Sequence, residues 1–157
     1  MSLLLETGAA VIGTVSFSLL FGVPTVYYPY CGFIGGSGWI VYAVLLNWLT
    51  APASALIATI VVILLSRMFA VGKRCPVTIF LISGIFPLVP GAGLYWTAYY
   101  IVTDQLALAA RTGFMALKVA VAIVLGIVFV FELPQGFFKF VKKPLQTDER
   151  KERENIK

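Results

Sequence analysis

The sequence predicts an all-α, polytopic integral membrane protein, and three observations predict it. The chain of 157 residues is 60% hydrophobic and 12% charged, against about 45–50% apolar and about 25% charged in ordinary soluble domains. Its mean hydropathy is +0.95. Its apolar residues fall into blocks close to the ~20 residues that a helix needs to cross the hydrocarbon core. A soluble domain of this length has too little interior to hide so much apolar surface.

The blocks read as about five spans. Leu3–Val23 is the first, with Pro24 just past it, and it carries Glu6 one or two turns from its start. Met1 to Glu6 lack the positive n-region of a signal peptide, so this span is expected to be retained. Tyr27 to Tyr30 form an aromatic cluster suited to the interface. Phe33–Leu49 is the second span, opened by Gly32, Gly35, Gly36 and Gly38. Ala51–Val71 is the third, reached through a corner at Asn47–Pro52. Val77–Val102 is the fourth and is broken. Thr112–Leu133 is the fifth. The count drops to four if Phe33–Leu49 is only partly inserted. Residues 1–143 thus form the membrane domain, and 144–157 a charged tail.

The net charge of +5 belongs to the membrane domain, because acids and bases balance in the tail. Such a basic excess reports topology and anionic lipid rather than nucleic acid. Lys73 and Arg74 follow span three, and Lys139, Lys142 and Lys143 follow span five. Odd-numbered spans end on one side, so both clusters place the C-terminus in the cytoplasm and the N-terminus outside. Arg111, in the loop expected before span five, opposes this. Arg67, one turn before Lys73, is expected to snorkel to the cytoplasmic side.

The break is Phe86-Pro87-Leu88-Val89-Pro90-Gly91-Ala92-Gly93. Backbone groups freed at bilayer depth are tolerated only where protein or a polar cavity covers them. Broken helices of this kind mark substrate sites in transporters. Pro87 and Pro90 remove two backbone donors, Gly91 and Gly93 let the chain turn, and a new half-helix is expected near Leu94. Its first amides and positive dipole end suit a carboxylate. Tyr95 and Thr97 stand within reach of the rest of such a substrate. The alternative is a proline kink, or a loop between two short helices, with no ligand.

Span five carries a second pattern. Arg111, Lys118, Leu125 and Glu132 recur every seventh residue, a spacing that drifts only about 20° per step and so forms one stripe. Lys118 and Glu132 lie about 21 Å apart along the axis and cannot neutralise each other. Either they line a charge or proton path, with Glu6 as a further candidate, or Lys118 snorkels to the interface and Glu6 is an interfacial charge. Gly32 to Gly36, Ala51/Ala55 and Ala122/Gly126 space small residues for close helix packing.

Other chemistry finds no residues. There is no histidine, and Cys31 and Cys75 sit in no CxxC or metal-ligand spacing. No phosphate loop or dinucleotide fingerprint occurs. Neither enzyme activity, metal, cofactor nor nucleic-acid partner is expected.

The segment Ile85 to Tyr95 resembles the P-x-x-P-G-x-x-x-Y motif of the threonine/serine exporter family. Phe21-Gly22-Val23-Pro24 and Cys31-Gly32-Phe33-Ile34-Gly35-Gly36 resemble its first loop and second span. The likeness covers the chain and corresponds to the family's C-terminal membrane domain encoded as a separate small subunit. It implies a larger partner subunit and export of threonine or serine. A small-subunit branch is associated with succinate-like dicarboxylates, and the proton gradient is the implied driving force. The implied location is the inner or plasma membrane. Two alternatives remain: a non-transporting scaffold or anchor, and a homo-oligomeric channel. The broken span and the charged stripe favour transport.

Overall fold

A computed structural model of the chain describes residues 2–132. Within them run six helices: α1 (Ser2–Leu20), α2 (Tyr28–Leu45), α3 (Ala51–Lys73), α4 (Thr78–Ile85), α5 (Gly91–Val102) and α6 (Leu106–Glu132). Short 3-10 turns at Thr25–Tyr27 and Phe86–Leu88 precede α2 and follow α4. Leu133, the lysines Lys139, Lys142 and Lys143, and the 144–157 tail lie outside the described residues.

The all-α membrane class holds. Leu3–Leu20 of α1, all of α3 and all of α6 are long and apolar enough to cross a bilayer. The α4 and α5 pair makes a fourth crossing if its two parts, bent by 49°, count as one span. The expected five is not reached by length and apolarity, and α2 is the reason. Its sequence is diluted by glycine, tyrosine and proline. Cys31, Gly32, Ile34, Gly35, Gly36 and Gly38 are all buried. A helix walled by other helices does not need the apolarity that lipid demands.

Boundaries shift for local reasons. α2 starts at Tyr28, ahead of the expected Phe33, because Pro29 sits in its first turn, where a missing N–H does no harm. α6 starts at Leu106 rather than Thr112, so Arg111 lies inside a helix and not in a loop. The loop is shortened by a turn in which Asp104 adopts φ 58°. There Asp104 N–H donates to Ile101 O at 3.1 Å and Gln105 N–H to Tyr100 O at 2.8 Å. The same closure stops α1. Gly22 takes φ 67°, its N–H donates to Leu19 O at 3.1 Å, and Val23 N–H donates to Ser18 O at 3.0 Å.

Helices α1 to α4 form the packed body, α6 lies on α3, and α5 lies on α6. Small residues set the spacings. A β-carbon at Gly32 or Gly36 would meet Val11 of α1, at 3.2 and 2.6 Å. One at Gly35 would overlap Thr14, and one at Gly38 would overlap Val62 of α3. A β-carbon at Gly126 would stand 3.0 Å from Thr59 Cγ2 and 3.2 Å from the Leu56 carbonyl oxygen, so this glycine seats α6 on α3. The small-residue faces read from the sequence therefore pack within this chain. Arg67 does not simply snorkel: it is half-buried, and its Nη1 donates to the Val130 carbonyl of α6.

Candidate functional site

The break is narrower than the sequence implies. The 3-10 turn carries Pro87, Val89 is extended at ψ 131°, and Pro90 caps α5. Gly91 and Gly93 are already helical and neither has positive φ. The chain turns at Val89–Pro90, so the glycines serve other ends. A β-carbon at Gly93 would stand 3.1 Å from Ala116 Cβ, so this glycine seats α5 on α6. At Gly91 nothing lies within 4 Å, so its side faces open space.

Gly91 also borders a recess of about 330 Å³. The break, from Pro87 to Gly93, forms one wall. Trp39 and Tyr42 of α2, Ala51 of α3, and Thr112, Met115 and Val119 of α6 form the others. Gly91 N–H turns back to Val89 O at 2.7 Å, and Leu94 N–H bonds Pro90 O at 3.1 Å. The amides of Ala92 and Gly93 fall between them in the first turn, where no intrahelical acceptor exists. No side chain caps this end of α5. The recess thus presents unspent donors and the positive end of a helix dipole.

A second recess, of about 300 Å³, adjoins it. Leu3, Glu6, Asn47 and the last turns of α2 line it, and so do Trp39 and Tyr42. These two rings, 5.6 Å apart between centroids, therefore wall both spaces. The indole Nε1 of Trp39 is buried without a hydrogen-bond partner. Both recesses lie toward the end of the bundle remote from Lys73 and Arg74, since α2 ends and α3 begins there.

The structure brings together some of the predicted residues. Pro87, Pro90, Gly91 and Gly93 share the first recess, and Glu6 lines the second. Thr97 stands behind the recess wall. Its Oγ1 donates to Gly93 O at 2.7 Å and lies 3.1 Å from Thr112 Oγ1, and Thr112 does line the recess. Tyr95 is not brought in: it is 64% exposed on the outer side of α5, against Trp96. Lys118 and Glu132 are exposed on α6, away from the buried face formed by Ala116, Val119, Ala122, Ile123 and Gly126. The stripe therefore faces outward from this chain rather than lining a path within it. Trp39, Tyr42 and Thr112 were not legible as site residues. Only their polar atoms in otherwise apolar spans set them apart.

No group of three or more possible metal ligands occurs among the described residues. A family model described as threonine/serine exporter (ThrE) matches residues 6–132. No curated protein and no solved structure matches the chain.

Proposed function

Because this chain belongs to the threonine/serine exporter family, we propose that it is the small membrane subunit of a secondary transporter that exports small carboxylate-bearing solutes. On this reading it sits in the cell membrane with a cytoplasmic C-terminus and works with a larger partner subunit. The substrates in view are threonine and serine, or a succinate-like dicarboxylate.

The observation that carries the reading is the recess at the break. The uncapped first turn of α5 opens on it, with the amides of Ala92 and Gly93 unspent. A carboxylate there gains charge-assisted hydrogen bonds and a favourable dipole. A scaffold has no use for a broken span that lines a cavity.

Lys118 supports the partner. α6 runs about 18 Å before it and about 21 Å after it, at ~1.5 Å per residue, so it sits near mid-helix. It is exposed there, with its Nζ 5.0 Å from the Phe114 ring centroid. A lysine at bilayer depth costs roughly 2.5–3.5 kcal/mol on insertion scales unless something pairs or hydrates it. A second copy packed in parallel on this face would set Lys118 against Lys118. A different chain with an acid at that depth fits better.

The test is flux of labelled threonine and of labelled succinate in vesicles holding this chain with and without its larger partner. Export that needs both chains is expected. Full-rate export by this chain alone would refute the pairing, and no export of either solute by the pair would refute the transport reading.

A further inference from the structure

We infer that the recess at the break accepts a single negative charge, so that a dicarboxylate enters it as the singly protonated monoanion. This rests on the reading that the uncapped end of α5 binds a carboxylate.

The recess has donors but no cation. No lysine, arginine, aspartate or glutamate is among its lining residues. Tyr42 is the titratable side chain in the wall, and a phenol keeps its proton near neutral pH. The favourable groups are therefore neutral. They are the unspent amides of Ala92 and Gly93, beside a wall in which the Trp39 indole N–H has no partner. Thr112 adds no free donor, because its hydroxyl hydrogen goes to the Leu108 carbonyl at 2.9 Å. The helix end contributes about half an elementary charge.

One carboxylate matches that supply. A second in the same recess meets Leu88, Val89, Met115 and Val119, which offer it nothing. A charge taken from water without a partner is costly to bury, and two like charges in one water-poor space repel. Protonating one carboxylate removes both penalties. The same physics keeps a proton on one of two carboxyl groups that share a site. The surroundings do not supply the missing cation. Arg111 and Lys118 of α6 do not line the recess, and Lys118 Nζ stands 5.0 Å from the Phe114 ring centroid. Among the described residues, the adjoining recess holds an acid, Glu6, and no base.

The test uses the full chain in lipid nanodiscs, with binding followed by calorimetry. The ligands are succinate, succinamate (the same skeleton with one carboxylate made an amide) and succinamide (with neither charge). At about pH 7.5, well above the carboxylate range, succinamate is expected to bind at least about tenfold more tightly than succinate. Toward about pH 5, near that range, succinate gains a proton and the gap should narrow severalfold, with succinamate binding unchanged. Met115→Lys puts a cation in the wall at a position already 49% exposed, and it should tighten succinate severalfold more than succinamate. Succinate bound as tightly as succinamate near neutral pH, a gap that ignores pH, or no gain for succinate in Met115→Lys each overturn the proposal. Succinamide separates the two readings. If it binds as tightly as succinamate, the carboxylate subsite itself fails. If succinamate beats succinamide but succinate equals succinamate, the subsite stands and the limit of one charge falls.

Discussion

Arg67 of α3 donates from Nη1 to the carbonyl oxygen of Val130, in the last turn of α6, at 2.6 Å. The residue four positions on from Val130 is Pro134, which has no N–H to offer that carbonyl. The guanidinium also lies 5.5 Å from the Phe131 ring centroid. The contact ties the end of α6 to α3 a turn beyond the close approach at Gly126.

Arg67→Met is expected to lower stability by about 1.5–3 kcal/mol, the range for a hydrogen bond to a charged group. Denaturant unfolding in detergent measures it. Arg67→Lys should fall between, since it keeps the charge and loses the planar fork. A methionine variant as stable as the parent would mean that the contact contributes nothing.

Gly35 and Gly8 make a contrast in packing. A β-carbon at Gly35 would overlap Thr14, whose hydroxyl is tied to Ala10 O at 2.7 Å. Gly35→Ala should therefore force α1 and α2 apart and destabilise by about 1–3 kcal/mol. At Gly8 nothing lies within 4 Å, and Gly8→Ala should be neutral or stabilise by up to about 1 kcal/mol. Equal effects at the two positions would contradict the packing described.

The spans were legible because lipid imposes length and apolarity on any helix that faces it. α2 was legible as a helix but not as a buried one. Its glycines lower its hydropathy, and only the positions of Val11, Thr14 and Val62 show what they are for. The break was legible from Pro87 and Pro90. Its recess was not, because Trp39 and Tyr42 arrive from α2, far away in sequence, and Thr112 from the helix that folds back after α5. Seven-residue spacing found the α6 stripe, but spacing cannot say which side of a helix its neighbours occupy. The neighbours took Ala122 and Gly126, and left Lys118 outside.

Cys75, in the loop between α3 and α4, gives a pH-dependent probe. Burial pushes its thiol above the usual range, while the Tyr27 hydroxyl beside it pulls the other way. The thiolate is the reacting form, so alkylation should be slow at neutral pH and climb at higher pH than for an exposed cysteine. Tyr27→Phe should slow it further. A membrane-impermeant maleimide also reports the side, which is expected to be cytoplasmic. Labelling from outside only would invert the proposed topology.

Lys118→Leu separates insertion from pairing. Removing a mid-helix charge should ease insertion by up to roughly 2.5–3.5 kcal/mol. Any loss of export must then come from a lost partner contact. Expression and membrane integration should hold or improve, while co-purification with the larger subunit and flux both fall. Unchanged flux and pairing would mean that Lys118 only reaches for the interface.

The break itself is tested by three glycines. Gly91 lines the recess and has nothing within 4 Å of where a β-carbon would stand. A β-carbon there meets no clash, so Gly91→Leu is expected to fold and insert. Its side chain would occupy substrate space and leave less room at the Ala92 and Gly93 amides. Apparent affinity for exported solute should drop at least about tenfold, or about 1.4 kcal/mol. Gly93→Leu differs, because Ala116 Cβ stands 3.1 Å from that β-carbon; it should lose stability as well as transport. Gly72, in α3, is equally open, and Gly72→Leu should leave export intact. Pro90→Ala restores an N–H at the bend and should impair export with normal expression. If Gly91→Leu exports as well as Gly72→Leu at equal expression, the break is a packing kink, and the substrate binds elsewhere.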